Sequence, residues 1–427
     1  MTIEMILALG VLIFMIVLIM SDKLPFGAPP ILACLLLVVT GIASIQEAFS
    51  GFVNQTVVMV AGFMVVMAGL MKTSLIGRVQ AMMIYLVKKG GFKSYALLIL
   101  VVMLGASLTG PASTGYYVLV LSLVTAIPYD KKMPTSKLFM PLGFATYHPL
   151  IPLNVTLFYG TAMTALSSSG YSNGLSMPKF SMVMFISSIA FLIWSLFSYR
   201  FLPSHQIIGD SEETDSNIEE VKASTMPKWK ENITIGAFFA SVVGMMLMST
   251  LGEVAYIIPG IAGAILLITN VLDFKEVRDN MSAPLVLMLA GVIGVANALV
   301  SSGFTAMIGE NIAQFIGTNI SQFTFVLVFS LLTGICATFT GANIGSVYIF
   351  APIAIATCLS LGQNPSGVAV AIAISGWNCG AMPIDGTPAM VFGMGKYTLP
   401  EFWKFTVPEF LIRAVIISAG AVMFFPA

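Results

Sequence analysis

The sequence predicts an all-α polytopic membrane protein: an inverted repeat with about ten transmembrane helices, two re-entrant helical hairpins and two broken helices. Three observations predict it. The 427-residue chain is 58% hydrophobic and 9% charged, with mean hydropathy +0.96, far from the roughly quarter to a third of charged side chains that a water-soluble surface needs. Two polar breaks, Thr109-Gly110-Pro111-Ala112-Ser113 and Thr340-Gly341-Ala342-Asn343-Ile344, interrupt long apolar runs; both start Thr-Gly and carry a Tyr eight positions after the Thr. The basic residues gather on one predicted face of the membrane.

Apolar runs long enough to cross ~30 Å of hydrocarbon lie at 4 to 21, 27 to 45, 54 to 71, 137 to 165, 180 to 200, 233 to 250, 256 to 271, 283 to 300, 366 to 394 and 405 to 425. The first has no basic n-region and no small-x-small site after it, so it reads as a retained helix rather than a signal peptide. Two further runs, 94 to 127 and 321 to 361, are too long for one helix and too short for two, and each is split at its Thr-Gly tip. A re-entrant hairpin accounts for both, since backbone freed at a tip inside the membrane is tolerated where protein or water satisfies it. Segments 75 to 92 and 303 to 320 read as in-plane arms; the first sets Ile76, Val79, Met82, Met83 and Leu86 against Arg78, Gln80, Lys88 and Lys89, an interfacial pattern.

With both termini outside, all 19 basic residues except Lys179 and Arg413 fall in segments predicted to be cytoplasmic, a strong positive-inside bias. Arg413 lies in the last helix with Glu409 one turn away. Lys93, Lys131 and Lys132 flank the first hairpin, which therefore opens to the cytoplasm; the second has almost no base around it and opens outward. The repeat continues beyond the tips. Ala61-Gly62 to Gly69-Leu70 matches Ala290-Gly291 to Ala298-Leu299 at an offset of 229, the tips match at 231, and Ile151/Ile384 and Gly160/Gly393 match at 233. An odd number of crossings per copy forces the second copy to be inverted. The copies are 1 to 202 and 233 to 427, joined by an acidic, solvated cytoplasmic linker at 203 to 232.

Each hairpin is followed by a crossing that cannot stay helical. These are His148-Pro149-Leu150-Ile151-Pro152-Leu153-Asn154, and Gly380-Ala381-Met382-Pro383-Ile384-Asp385-Gly386-Thr387-Pro388; each proline removes a donor and clashes with the preceding turn. Two breaks and two tips meeting near the midplane offer half-helix N-termini to an anion and unwound carbonyls to a cation. No Lys or Arg is present in either tip or either break. The polar side chains placed to line such a site are Thr109, Ser113, His148, Asn154, Thr340, Asn343, Ser346 and Thr387. An acid inside a span costs ~2.5 to 3.5 kcal/mol on insertion scales and marks a functional site. Asp385 reads as a cation ligand with Asn343 and Thr387, joined by Ser113 of the first tip, as a proton carrier, or as a cap on the second half-helix. His148 reads either as a substrate or gating contact or as the hydrogen-bond partner of a freed carbonyl. Asn378, Thr156 and Asn297 read as satisfying backbone or neighbouring helices.

Other chemistries lack their residues. No basic patch interleaved with aromatics points to nucleic acid. Cys34, Cys336, Cys358 and Cys379 have no paired spacing, and His148 and His205 form no metal pattern. The expected inorganic partner is a coupling sodium ion or a proton, with no cofactor and no enzymatic site.

The lead-in Gly51-Phe52-Val53-Asn54-Gln55-Thr56, the run to Ala351-Pro352-Ile353, the joint Leu361-Gly362-Gln363-Asn364-Pro365 and the stretch Pro383-Ile384 to Val391-Phe392-Gly393 resemble the divalent anion/sodium symporter (DASS) family of the ion transporter superfamily. The resemblance covers nearly the whole chain. It implies a homodimeric elevator that carries dicarboxylates, citrate or sulfate, its hairpins and broken helices sliding as a block against a scaffold anchored by the arms. It also implies that Asn343, matching the family's tip asparagine, meets substrate carboxylate and sodium. Ala112 stands at the corresponding place in the first tip, and Asp385-Gly386-Thr387 replaces the family's Gly-Thr-x-x-Asn break. The expectation is a secondary active transporter of small anions, coupled to sodium or protons, in a bacterial inner membrane. The alternatives are an uncoupled anion exchanger, which Ala112 favours, and a membrane subunit of a binding-protein-dependent carrier.

Overall fold

The computed structural model describes residues 2–21, 24, 27–111, 113–125, 134–171, 174–205, 226–304, 307, 311, 320–340, 343–377, 380, 382–383 and 386–426. Among them the regular structure is helical, with no strand. The first half holds α1 (Ile3–Ser21), α2 (Ala28–Val39), α3 (Ile45–Ala48), α4 (Gln55–Met71), α5 (Ser74–Lys89), α6 (Gly91–Thr109), α7 (Thr114–Thr125), α8 (Phe139–Ala145), α9 (Thr156–Ser168) and α10 (Met177–Ser198). The second holds α11 (Lys228–Met246), α12 (Met248–Leu251), α13 (Val254–Ile268), α14 (Phe274–Met281), α15 (Pro284–Ser301), α16 (Gln322–Thr340), α17 (Asn343–Ser360), α18 (Ser366–Ser375), α19 (Gly386–Met394) and α20 (Leu399–Phe424).

Both hairpin runs form two helices, α6 with α7 and α16 with α17; α16 and α17 are each long and apolar enough to cross, so the second run is not too short for two. Both proline-bearing runs break, into α8 and α9 and into α18 and α19. Six described helical segments are long and apolar enough to cross a membrane: Gly91–Thr109, Met177–Ser198, Phe274–Ser301, Gln322–Phe339, Asn343–Ser360 and Leu399–Phe424. Apolar helices at Ile3–Met15, Ala28–Val39, Gln55–Met71, Val254–Ile268 and Ser366–Ser375 are shorter. The run 27 to 45 is one such case. Its helix stops at Val39, and Thr40 and a left-handed Gly41 (φ 73°) turn the chain towards α3.

The arm expected at 75 to 92 is α5, ended by Gly90 and Gly91 at φ 66° and 84°; most of 303 to 320 lies outside the described residues. Helix α11 starts at Lys228, behind Pro227, so the last residues of the 203 to 232 linker are helical. Residues 206–225 of that linker lie outside the described residues.

Several contacts recur at the offset read from the sequence. A β-carbon on Gly62 would strike the backbone of Pro259 and Gly260; one on Gly291 would strike Pro30 and the amide of Ile31. Adding 229 to Gly62, Pro30 and Ile31 gives Gly291, Pro259 and Gly260. Small residues permit this close approach of helices that gain little from hydrophobic burial in lipid. The capping boxes recur likewise. Ser44 Oγ accepts from the Glu47 amide at 3.2 Å, and the Ser44 amide donates back to Glu47 Oε2 at 2.8 Å; Asp273 and Glu276 do the same at 2.7 and 2.9 Å. Each fixes the start of a short helix, α3 or α14.

The buried side chains form two apolar clusters. One gathers α2, α4, α9, α11, α13, α15 and α18 around Phe63, Phe158 and Phe238. The other gathers α6, α7, α8, the end of α10 and the start of α20 around Tyr95, Phe144 and Phe405. Along the chain each break joins the two clusters: Tyr147 and Val391 belong to the second, Val155 and Trp377 to the first.

Candidate functional site

Breaking a helix inside an apolar protein leaves amides and carbonyls that need partners. The hairpins supply them. Leu150 donates its amide to the Met103 carbonyl at 3.1 Å, and Ile151 donates to Ser107 Oγ at 2.9 Å. In the second break the Met382 amide donates to Thr338 Oγ1 at 3.1 Å. Ser107 and Thr338 are 231 residues apart, as are Ile151 and Met382. One hydroxyl, placed two residues before each tip threonine, thus anchors each break.

The half-helices are exchanged between the halves of the chain. Helix α9 packs on α17 and α18, whereas α19 packs on α7 and α8. Phe158 of α9 meets Trp377, which closes α18, with ring centroids 4.8 Å apart. Each second half-helix therefore packs against the other half's hairpin. Both open on a buried threonine: Thr156 of α9 is 4% exposed and Thr387 of α19 is 0% exposed. Among the described residues neither hydroxyl has a hydrogen-bond partner, which in a dry interior costs ~1 to 3 kcal/mol. An unpartnered hydroxyl at a helix N-terminus, where the dipole favours negative charge, suits an incoming anion.

The first tip touches the first break directly. Asn154 is 6% exposed, and its Nδ2 lies 3.4 Å from the Leu108 carbonyl and 3.2 Å from Met67 Sδ of α4. Gly110 follows at φ 88°, ψ 149°. Ser113 is half-buried immediately before α7. Thr109 is buried and donates to the Gly105 carbonyl of its own helix at 3.0 Å. At the second tip Asn343 opens α17 half-buried, and its carbonyl lies against Gly376 at the second break. Thr387 packs towards Gly143 of α8. Ser346 is buried. The side chain of Thr340, and Ala112, Gly341, Ala342, Asn378 and Asp385 entirely, lie outside the described residues.

His148 does not face the tips through its polar atoms. Its Nδ1 is 2.9 Å from the Phe144 carbonyl, which is not freed by the break because it also accepts the Tyr147 amide at 2.9 Å, and its Nε2 is 3.5 Å from Glu409 of α20. The sequence pointed to Asn297 as a structural partner, and its Nδ2 does donate to Ser50 Oγ at 3.1 Å. Thr156, read in the same way, instead keeps an unpartnered hydroxyl. Ser107, Thr338 and the Glu409 contact were missed; the shared spacing of Ser107 and Thr338 behind the two tips was the available signal.

Residues 16 to 374 match the profile of CitMHS, described as citrate transporter. The chain belongs to this CitMHS citrate transporter family. That membership places it among membrane carriers rather than enzymes, within the superfamily its motifs resemble. The CitMHS-family chain is 29% identical over 143 residues to the uncharacterized transporter YfbS of Escherichia coli (strain K12), the match covering 33% of this chain and 23% of that one. It is 27% identical over 184 residues to the uncharacterized transporter sll0640 of Synechocystis sp., covering 42% and 28%. The matched stretch thus spans about a quarter of the length of these relatives. In fold the chain is similar to the YdaH transporter of Alcanivorax borkumensis, whose crystal structure is described as having an unusual topology. The TM-score is 0.62 at 15% identity, over 90% of this chain and 88% of that one.

Proposed function

We propose that the chain is a secondary active transporter of small anions, of the dicarboxylate, tricarboxylate or sulfate class, working by elevator-type alternating access. The observation that carries this is the pair of exchanged half-helices, each opening on a buried, unpartnered threonine hydroxyl and packed on a helix of the other half's hairpin. The anion is held by the N-termini of α9 and α19, by Thr156, Thr387 and Asn154, and by the tip residues Thr109, Ser113, Thr340 and Asn343. Asp385, with Asn343, Thr387 and Ser113, serves the coupling cation. The recurrence of the glycine contacts and capping boxes at 229 supports reading 1 to 202 and 233 to 427 as two inverted copies. In the same proposal the protein is a homodimer in a bacterial inner membrane with both termini outside, and family membership favours citrate among the anions.

The test is uptake of radiolabelled succinate, citrate and sulfate into proteoliposomes, with inward sodium and inward proton gradients imposed separately. Accumulation of one of these anions under either gradient supports the reading. Equilibration without accumulation under both gradients makes the protein an uncoupled exchanger and removes the coupling claim. Uptake equal to that of protein-free vesicles for all three anions contradicts it.

A further inference from the structure

We propose that His148 is the proton-binding residue of this carrier, with Glu409 as its counter-carboxylate and Arg413 as the group that joins them to the second break. The proposal deepens the transporter reading and rests on it; it places a coupling proton away from the tips and leaves the Asp385 group to sodium.

The three side chains form a buried cluster. His148, Glu409 and Arg413 are 1%, 1% and 2% exposed. The imidazole stacks on Phe191 of α10, with centroids 3.9 Å apart and planes at 8°. Its Nδ1 lies 2.9 Å from the Phe144 carbonyl oxygen, and a carbonyl only accepts, so Nδ1 carries the hydrogen. In the neutral ring, Nε2 then presents a lone pair to Glu409 Oε1 at 3.5 Å, beyond a formed hydrogen bond. Among the described residues neither Nε2 nor either Glu409 oxygen has a hydrogen-bond partner. Lone pair facing carboxylate is repulsive, and each orphaned atom is costly where no water reaches it. A single proton on Nε2 converts the clash into a charge-assisted hydrogen bond.

The cluster spans both breaks. His148 opens the first, and Arg413 Nη1 donates to the carbonyl of Trp377, beside the second, at 2.6 Å. Among the described residues, Glu409 and Arg413 are the ionisable groups that act on His148; α10 presents the Phe191 ring and α8 the Phe144 carbonyl.

Charge gives the coupling. With His148 neutral, Glu409 and Arg413 sum to zero. The proton is transferred from hydronium on the loading side: one O–H bond breaks, water is released, and an N–H bond forms at Nε2. It leaves the cluster with one positive charge in a poorly screened interior, which an anion bound between the breaks stabilises. By linkage, proton and anion each raise the affinity for the other. When the anion leaves on the far side, the proton returns to water.

The experiment uses the whole chain labelled with 15N-histidine, which has two histidines. His205→Gln serves as the assignment and control variant, since His205 bonds the Gly395 carbonyl at 3.0 Å on another part of the chain. Spectra are recorded near neutral pH, with and without saturating citrate. The expected result is that the remaining ring, His148, changes from neutral to imidazolium on citrate addition. The half-saturation for citrate should rise by up to about tenfold per pH unit above the site's pKa; Glu409→Gln should flatten that rise. A ring that stays neutral while citrate binds overturns the proposal and leaves the anion site standing. An unaltered pH profile in Glu409→Gln overturns the role of that carboxylate. Absence of binding by citrate, succinate and sulfate alike means instead that the transporter reading has failed.

Discussion

Gly110 sits directly against Asn154: a β-carbon at position 110 would meet the Asn154 Nδ2 at 2.8 Å. Its backbone, at φ 88° and ψ 149°, occupies a region open essentially to glycine, worth of order 1 to 3 kcal/mol of strain for other residues. Gly110→Ala is therefore strained and crowded at once. Its expected outcome is a lower thermal midpoint in detergent and uptake reduced at least ~10-fold, the effect of displacing a positioned group by about an ångström. Wild-type uptake in Gly110→Ala would show that the tip does not use this contact.

Ser107→Ala and Thr338→Val each remove the hydroxyl that accepts a break amide. Each should lower stability by about 1 kcal/mol. The two losses should add in the double variant, because the hydroxyls share no partner. Denaturation midpoints of the four proteins check this, and a double variant no worse than either single would show that the two breaks are not anchored independently.

The arm α5 is tied to α11 by the Ser74 amide, which donates to Glu231 Oε1 at 2.6 Å. The Ser74 side chain and then its amide hold the Glu231 carboxyl below the ordinary glutamate value of 4.5, with smaller help from Arg78 and Lys228. A depressed folded-state pKa gives stability that is present above the unfolded value and lost as pH falls through the folded one. The thermal midpoint of Glu231→Gln should lie below wild type at neutral pH, and the gap should close as pH drops below 4.5. A gap independent of pH would mean that packing, not the ionised carboxylate, makes the contact.

Sliding of the hairpin block is tested where α9 meets α4. A β-carbon on Gly160 would lie 3.0 Å from Val60 Cγ2. Cysteines at these two positions, in a background lacking the four native cysteines, should cross-link on oxidation. Transport should then stop and return on reduction. Full transport by the cross-linked protein would mean that α9 does not move against α4 during the cycle.

The broken architecture was legible because its causes are local. Pro149, Pro152 and Pro383 withdraw donors wherever the chain places them, and the Thr-Gly tips are visible as polar interruptions in apolar runs. Register was harder to read. Residue identity pairs Ile151 with Ile384, but the hydrogen bonds pair Ile151 with Met382, since the hydroxyls of Ser107 and Thr338 decide which amide docks. The approach of His148 to Glu409, 261 residues away, left no local trace, because nothing in either segment's periodicity encodes a contact made by tertiary packing. Glu409 and Arg413 were noticed as a pair of charges in a spanning helix, while their link to both breaks depends on how α20 lies across them. The end of α2 at Val39 was missed because apolar residues continue past the turn that Gly41 makes.

The central claim is that this chain by itself carries a small anion across a membrane. Counterflow tests it most directly: proteoliposomes loaded with unlabelled citrate are diluted into a trace of labelled citrate, beside vesicles loaded with chloride. The account predicts a transient inward overshoot of label that occurs with citrate inside and not with chloride. Label no higher than in protein-free vesicles, with succinate and sulfate behaving the same way, would contradict it.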